Sequence, residues 1–300
     1  MVSTSAHGGE WRARLGEIGV WCRASELSPD LARDLEQLGY GAIWVGGSPP
    51  ADLTIVEELL DATTEITIAT GIVNIWNSEP ATVAGSYHRI EKRHPGRFLL
   101  GIGAGHPENA GARATRPFEA LESYLDVLDN DRVPRQSRLL AALGPRILRL
   151  AAERTAGAHP YLVTPEHSRL ARDILGAGPL LAPEQRVVLR ADPESARAIG
   201  RPSVHKPYLG LVNYRNSLKR LGFTDEDLAD SGSDRLIDDL VVYGTDETIA
   251  SRLHEHLDAG ADHVAVQLLT GEGEDVRAGF AHLAEALSFR RRSGPASVGS

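Results

Sequence analysis

Lysine is nearly absent from this chain. It occurs at Lys92, Lys206 and Lys219, so almost all of the 32 Lys and Arg residues are arginine, against 41 Asp and Glu and a formal net charge of -9. Nucleic-acid surfaces rely on clustered Lys and Arg that replace counterions along the phosphates. No nucleic-acid partner is therefore expected. The one dense basic run, Arg290-Arg291-Arg292, precedes a Ser/Gly/Pro tail and reads as a solvated helix end. Cysteine occurs once, at Cys22, which excludes an intramolecular disulfide framework and a multi-cysteine metal site. At the end of an apolar run it reads as a small buried hydrophobe. No stretch approaches the roughly 20 apolar residues of a membrane helix, and Met1 to Glu10 holds no apolar signal-peptide core. No membrane contact and a cytoplasmic location are the expectations.

Several chemistries are missing with their motifs. There is no G-x-x-x-x-G-K-[ST] phosphate loop and no G-x-S-x-G nucleophile elbow. His254-Glu255-His256 places its histidines at i and i+2, on opposite sides of a helix, whereas a zinc-binding pair stands at i and i+4. No metal is expected. The dinucleotide fingerprint G-x-G-x-x-G is also absent: Gly101, Gly103 and Gly105 are spaced G-x-G-x-G and run into His106-Pro107 instead of a helix start.

What is present is an alternation of strand and helix patterns. The runs 66–73 and 96–104 are apolar, β-branched or small almost throughout, the mark of parallel strands covered on both faces. A helix pattern from Pro80 joins them into a βαβ unit, and both end in glycine and small residues, where a ligand has access to the backbone. Further strands are predicted at 18–22, 42–45, 139–143, 159–163, 186–189 and 263–267, each followed by a helix. Ser28-Pro29-Asp30, Thr164-Pro165-Glu166 and Asp192-Pro193-Glu194 open helices as cap, first-turn proline and acid. Eight such units predict the α/β class and a (β/α)8 TIM barrel, with insertions after strand four and, at 201–243, between strands seven and eight. Residues 1–14 read as a disordered leader, 15–290 as one barrel domain and 291–300 as a flexible tail.

Three phrases carry a resemblance: Ala69-Thr70-Gly71-Ile72-Val73-Asn74 on strand three, Arg97-Phe98-Leu99-Leu100-Gly101-Ile102-Gly103-Ala104-Gly105 on strand four, and Gly260-Ala261-Asp262-His263-Val264 before strand eight. Together they resemble the bacterial luciferase-like monooxygenase superfamily. Ala158-His159-Pro160-Tyr161-Leu162-Val163-Thr164-Pro165-Glu166-His167 and Leu181-Ala182-Pro183-Glu184-Gln185 are similar to its branch using the deazaflavin coenzyme F420. The resemblance spans about Gly16 to Leu287. It implies a non-proline cis peptide and bulge against the cofactor ring, on Gly71, Ile72, Val73 and Asn74. It implies ring-edge contacts from Ala104, Gly105 and His106, and a phosphate turn at Gly144, Pro145 and Arg146. Sugar-phosphate dehydrogenases of the branch carry an acid and a histidine at the end of strand two, where this chain has Val45-Gly46-Gly47-Ser48. Strand six departs as well, with Ala158-His159-Pro160 where many relatives have Asp-Gly.

Individual residues allow two readings each. His106 is a loop histidine capping a carbonyl, or a proton-transfer group whose pKa lies near working pH. His159 and Tyr161 are packed core or site residues. Trp76 is a wall of a substrate pocket or plain packing, and Trp44 reads as core. The expected function is an F420-dependent oxidoreductase moving hydride to or from a small, largely apolar organic substrate, with His106, His159 and Trp76 as candidate catalytic residues. Its alternatives are a monooxygenase using reduced FMN and oxygen, and a cofactor-less barrel serving as a scaffold. A homodimer through the helices after strands two and three is expected, centred on exposed apolar side chains.

Overall fold

The computed structural model describes residues 7–105 and 116–289. Its parallel strands run in order round a ring. β1 (Ile18–Arg23) pairs β2 (Ala42–Gly46), which pairs β3 (Thr67–Gly71); β3 and its continuation β4 (Val73–Asn74) pair β5 (Phe98–Gly103). Next come β6 (Arg138–Leu140), β7 (Gly157–Ala158) and β8 (Leu180–Leu181). The segment 180–188 closes the ring, because β8 pairs β7 while its continuation β9 (Glu184–Val188) pairs β11 (Val264–Leu268), and β11 returns to β1. This is the expected eight-position barrel.

The strands lack a wet side because both faces are buried. Trp21, Trp44, Ala69, Leu99, Leu139, Ala182 and Ala265 point inward and pack on one another. Val20, Cys22, Ile43, Val45, Ile68, Leu100, Ile102 and Val266 alternate with them and pack under the helices. Cys22 is thus a core residue, and burial holds its thiol far above the ordinary range.

Four features differ from expectation. The leader of residues 1–14 is replaced from His7 by a helix, α1 (His7–Leu15). Trp11 and Leu15 are 6% and 0% exposed, and the Trp11 indole N–H donates to the Gln136 carbonyl, so α1 plugs the N-terminal end of the barrel. Strand six lies at 157–158, ahead of the predicted 159–163, and strand seven begins at Leu180 rather than Arg186. The insertion between strands seven and eight is present, but it is not all helical. It comprises α8 (Pro193–His205), α9 (Val212–Arg220), α10 (Asp234–Leu240) and a strand, β10 (Val241–Tyr243), that pairs β9. It builds a second core in which Leu209, Leu211, Tyr214 and Leu236 pack on Leu162 and Val188.

The remaining helices are α2 (Pro29–Gln37), α3 (Thr54–Ala62), α4 (Pro80–Arg93), α5 (Pro117–Asn130), α6 (Pro145–Arg154), α7 (Pro165–Leu175), α11 (Asp246–Asp258) and α12 (Val276–Ala286). The outer faces of α3 and α4 are charged: Glu57 pairs with Arg89 and Arg93, and Asp61 with Arg93 and His94. Among the described residues, the exposed large hydrophobics are Leu170 and Val212, neither on these helices. The apolar dimer centre expected there is absent among the described residues. No described helix is long and apolar enough to cross a membrane.

The plug carries a measurable load. Trp11→Ala should lower stability by about 3–5 kcal/mol, the usual cost of truncating a buried aromatic, read as a reduced urea midpoint. An unchanged midpoint would return α1 to the status of a leader.

Candidate active site

The C-terminal end of strand three carries one residue too many. Ile68 and Ala69 face Phe98 and Leu99, whereas Val73 and Asn74 face Ile102 and Gly103, so the partner shifts by one position between them. That is a bulge. The peptide between Gly71 and Ile72 is cis, at the position the family resemblance implies. Where the ladder is interrupted, the Thr70 hydroxyl substitutes for backbone: it donates to the Gly101 carbonyl and accepts the Gly101 N–H, each at 2.8 Å. Beyond it, the Asn74 carboxamide oxygen accepts the Trp76 N–H at 3.0 Å.

The glycines here do not bare the backbone to a ligand, as their sequence suggests. A Cβ on Gly101 would overlap the Thr70 carbonyl, and one on Gly103 would lie 3.0 Å from the Ile72 side chain and 2.9 Å from Ala141. Gly105, in the left-handed region at φ +57°, leaves room for the Asn74 carboxamide. Gly46 lies under the Trp21 indole. At Gly71 a Cβ would stand 2.7 Å from Trp21 Nε1 and 3.1 Å from His159 Nε2. The protein's own atoms occupy these spaces. Gly144 differs, since no atom of the described residues lies within 4 Å of its Cβ position.

Inside the barrel the polar groups sit in layers. His263 accepts the Trp44 indole N–H at Nε2 (3.0 Å) and donates from Nδ1 to the Gly16 carbonyl (2.7 Å). Above it His159 stacks on Trp44 at 4.2 Å and donates from Nδ1 to the Ala182 carbonyl at 2.6 Å, leaving Nε2 as a buried acceptor. Burial pushes both histidines down to about 4. His159 is 1% exposed, so it takes the packed reading.

At the mouth, Arg186 Nη2 donates to the Tyr161 hydroxyl at 3.1 Å, and that hydroxyl donates to Gln267 Oε1 at 2.7 Å. Glu184, two residues before Arg186 on the same face, accepts the Leu162 N–H at 2.8 Å and stands 3.7 Å from the guanidinium. Burial raises Glu184 to about 7, against the pull of Arg186. Sequence reasoning missed Trp21, Glu184, Arg186 and Gln267. A signal existed for two of them, since an acid and a base two apart in an apolar run share one strand face.

The other candidates are placed as follows. Trp76 is half-buried, and its indole N–H is buried without a partner among the described residues. Ala104 and Gly105 are half-buried at the end of β5, beside Asn74. His106 lies outside the described residues. Gly144 is the N-cap of α6 with no side chain capping it, and Pro145 occupies the first turn. The Arg146 guanidinium covers the Phe118 ring at 3.5 Å. The bulge, Ala104–Gly105 and Gly144 therefore follow adjacent strands of the barrel, three, four and five. His256, from the metal-like triplet, is buried between Ser168 and Gln185 at 2.8 Å each, and no cluster of three metal-ligating side chains occurs among the described residues.

A family model described as luciferase-like monooxygenase matches residues 26–263. The chain belongs to this family. Luciferase-like proteins are oxidoreductases and monooxygenases, and this barrel is of that class. No curated protein matches it in sequence. Similar solved structures include an F420-dependent secondary alcohol dehydrogenase in complex with an F420-acetone adduct, at 15% identity and a TM-score of 0.66, covering 90% of this chain and 98% of that one. The coenzyme F420-dependent tetrahydromethanopterin reductase from Methanopyrus kandleri is 15% identical, with a TM-score of 0.68 over 91% and 99%. The FMN-bound oxygenating constituent of 3,6-diketocamphane monooxygenase from Pseudomonas putida is 14% identical, with a TM-score of 0.64 over 92% and 97%. At these identities the likeness is one of fold.

Two outcomes follow for this luciferase-like site. Gly101→Ala should destabilise by about 1–3 kcal/mol through overpacking against Thr70; wild-type stability in that variant would contradict the bulge geometry. The second concerns pH. His159, His263 and His256, the last held near 3 by burial, have folded values below the unfolded one, so their contribution is complete above about 6.5 and is lost as pH falls toward 4. Glu184 works oppositely, its contribution being complete below about 4.3 and lost as pH rises through about 7. Three groups outweigh one. Urea stability should fall from pH 7 to pH 5, and fall more steeply in Glu184→Gln; a flat profile would refute the burial of these histidines.

Proposed function

We propose that this barrel is an F420-dependent oxidoreductase that moves hydride between the deazaflavin and a small, largely apolar organic substrate. The observation that supports it most is the open turn at Gly144, two strands round the barrel from the strand-three bulge. Helix N-termini present unpaired N–H groups and a positive dipole end to anions. Pro145 has no N–H to leave unpaired, and the Gly144 Cβ space is open. Gly144, Pro145 and Arg146 would hold the phosphate of such a cofactor, Arg146 by leaving Phe118 and Glu119. Gly71, Ile72, Val73 and Asn74 would back the ring, with Ala104, Gly105 and His106 along its edge. When bound, such a cofactor supplies or accepts hydride. The chain's own share is orientation, exclusion of water and movement of one proton. Trp76 would wall the substrate side.

The FMN-dependent monooxygenase reading rests on the same cradle, and F420 is preferred for the phrases around His159 and Leu181. A homodimer through α3 and α4 would meet through charged side chains; light scattering near the 32.3 kDa chain mass at every concentration would exclude it.

Fluorescence titration tests the reading directly. Micromolar F420 should be quenched or shifted by the protein, and Gly144→Val should weaken binding at least tenfold, about 1.4 kcal/mol, without loss of fold. A preference for FMN with oxygen consumption would promote the monooxygenase. No response to either cofactor would favour a scaffold.

A further inference from the structure

Hydride transfer to or from a carbon bearing oxygen also needs a proton at that oxygen, and the end of strand two cannot provide it. Its inward position is Gly46, covered by the Trp21 indole. His159 lies sealed in the layer below. Glu184 and Arg186 are 0% and 1% exposed. Tyr161 is different: its ring packs on Trp21 at 5.2 Å and on Tyr208 at 5.5 Å, yet the residue remains half-buried. The same buried Trp21 indole packs on the Tyr161 ring and lies against Gly71, so the Tyr161 ring and the bulge flank one indole.

We propose that Tyr161 is the catalytic acid-base of this barrel, acting on the oxygen of an apolar ketone or secondary alcohol, and that Arg186 is the positioning residue behind it. The inference rests on the oxidoreductase reading above. In the reducing direction a bound deazaflavin-class cofactor would supply hydride to the carbonyl carbon, and the carbonyl π pair would move onto oxygen. That oxygen takes the phenolic proton. The Tyr161 O–H bond breaks, and the phenolate left behind lies 3.1 Å from the Arg186 guanidinium, to be reprotonated from solvent. The reverse sequence oxidises the alcohol.

The surroundings match this role. Arg186 is fixed by Ser203 at 3.2 Å and covered by the Tyr208 ring at 4.9 Å, so its charge cannot swing away. Burial keeps the Tyr161 phenol well above its ordinary value, so it retains its proton until a charged oxygen develops beside it. The hydroxyl donates to Gln267 and also has the Tyr208 hydroxyl as a hydrogen-bonding neighbour, and a substrate oxygen would compete with both for its proton. The Trp21, Tyr161 and Tyr208 rings suit an apolar remainder.

The test uses the full chain without cofactor and carbonyl-13C-labelled acetophenone as probe. Infrared difference spectra should show saturable binding with the carbonyl band shifted down by a hydrogen bond. Tyr161→Phe should abolish the shift, and Gln267→Leu, which removes one competitor for the proton, should tighten binding several-fold. With cofactor and acetophenone, Tyr161→Phe should lose about 10²–10⁴-fold in turnover at unchanged cofactor affinity. The same band in wild type and Tyr161→Phe, weaker binding in Gln267→Leu, or no saturable binding would overturn the proposal. A protein that gives the infrared signature but binds neither F420 nor FMN would instead defeat the oxidoreductase reading.

Discussion

Two indoles inside one ring of strands set most of what surrounds them. A closed barrel of eight strands has an interior just wide enough for side chains to fill in layers. Trp21 and Trp44 each take the space of two ordinary residues, and the neighbouring inward positions are correspondingly small: Ala42, Ala69, Ala182 and Ala265 share their cluster, while Gly46 and Gly71 lie against Trp21. Interiors are packed like crystals, so these assignments are coupled rather than independent. Filling the mouth from strand one leaves strand two nothing to contribute there. Polar chemistry is thereby displaced to the segment after β7 and to β9 and β11, on the other side of β1 from β2.

That wall holds an ion pair where ion pairs are costly. Removing two charges from water costs several kcal/mol each, and mutual attraction offsets this only when further hydrogen bonds satisfy both partners. Here that is met only in part: the Leu162 N–H supports Glu184, and Tyr161 and Ser203 support Arg186, while Glu184 Oε1 and Arg186 Nε stand 3.7 Å apart without a hydrogen-bond partner among the described residues. Ser203 and Tyr208 belong to the insertion, so the guanidinium fastens that insertion to the barrel. A carboxylate deprived of Arg186 would take up a proton rather than remain charged.

How much of this was legible in sequence depends on range. Strands buried on both faces announce themselves as unbroken apolar runs, and cap-Pro-acid triplets mark helix starts, so the barrel was readable from strand one to strand five. Legibility failed where elements are too short for a period. Strand six is two residues long, and strand seven is divided by Pro183 into Leu180–Leu181 and Glu184–Val188. α1 was lost because Gly8-Gly9 and three charges hide a helix whose burial comes from one indole and one leucine. Glycines misled in another way: the sequence shows that a side chain is missing but not which distant atom fills its space.

The strand-three and strand-four phrases are best understood as halves of one device. An extra residue in one strand of a closed ring turns the Thr70 carbonyl and the Ile72 side chain toward the next strand. That strand can accept them only where it has no Cβ, at Gly101 and Gly103. The Thr70 hydroxyl then repairs the interrupted ladder. Thr-Gly-Ile-Val-Asn on one strand and Gly-Ile-Gly on the other are thus demanded by packing, and a barrel with this bulge would need them whether or not it bound a cofactor. The phrases therefore identify the fold family without certifying an activity. What bears on activity is the chemistry that packing does not require: an open glycine turn at a helix start, and a half-buried phenol clamped by a buried guanidinium.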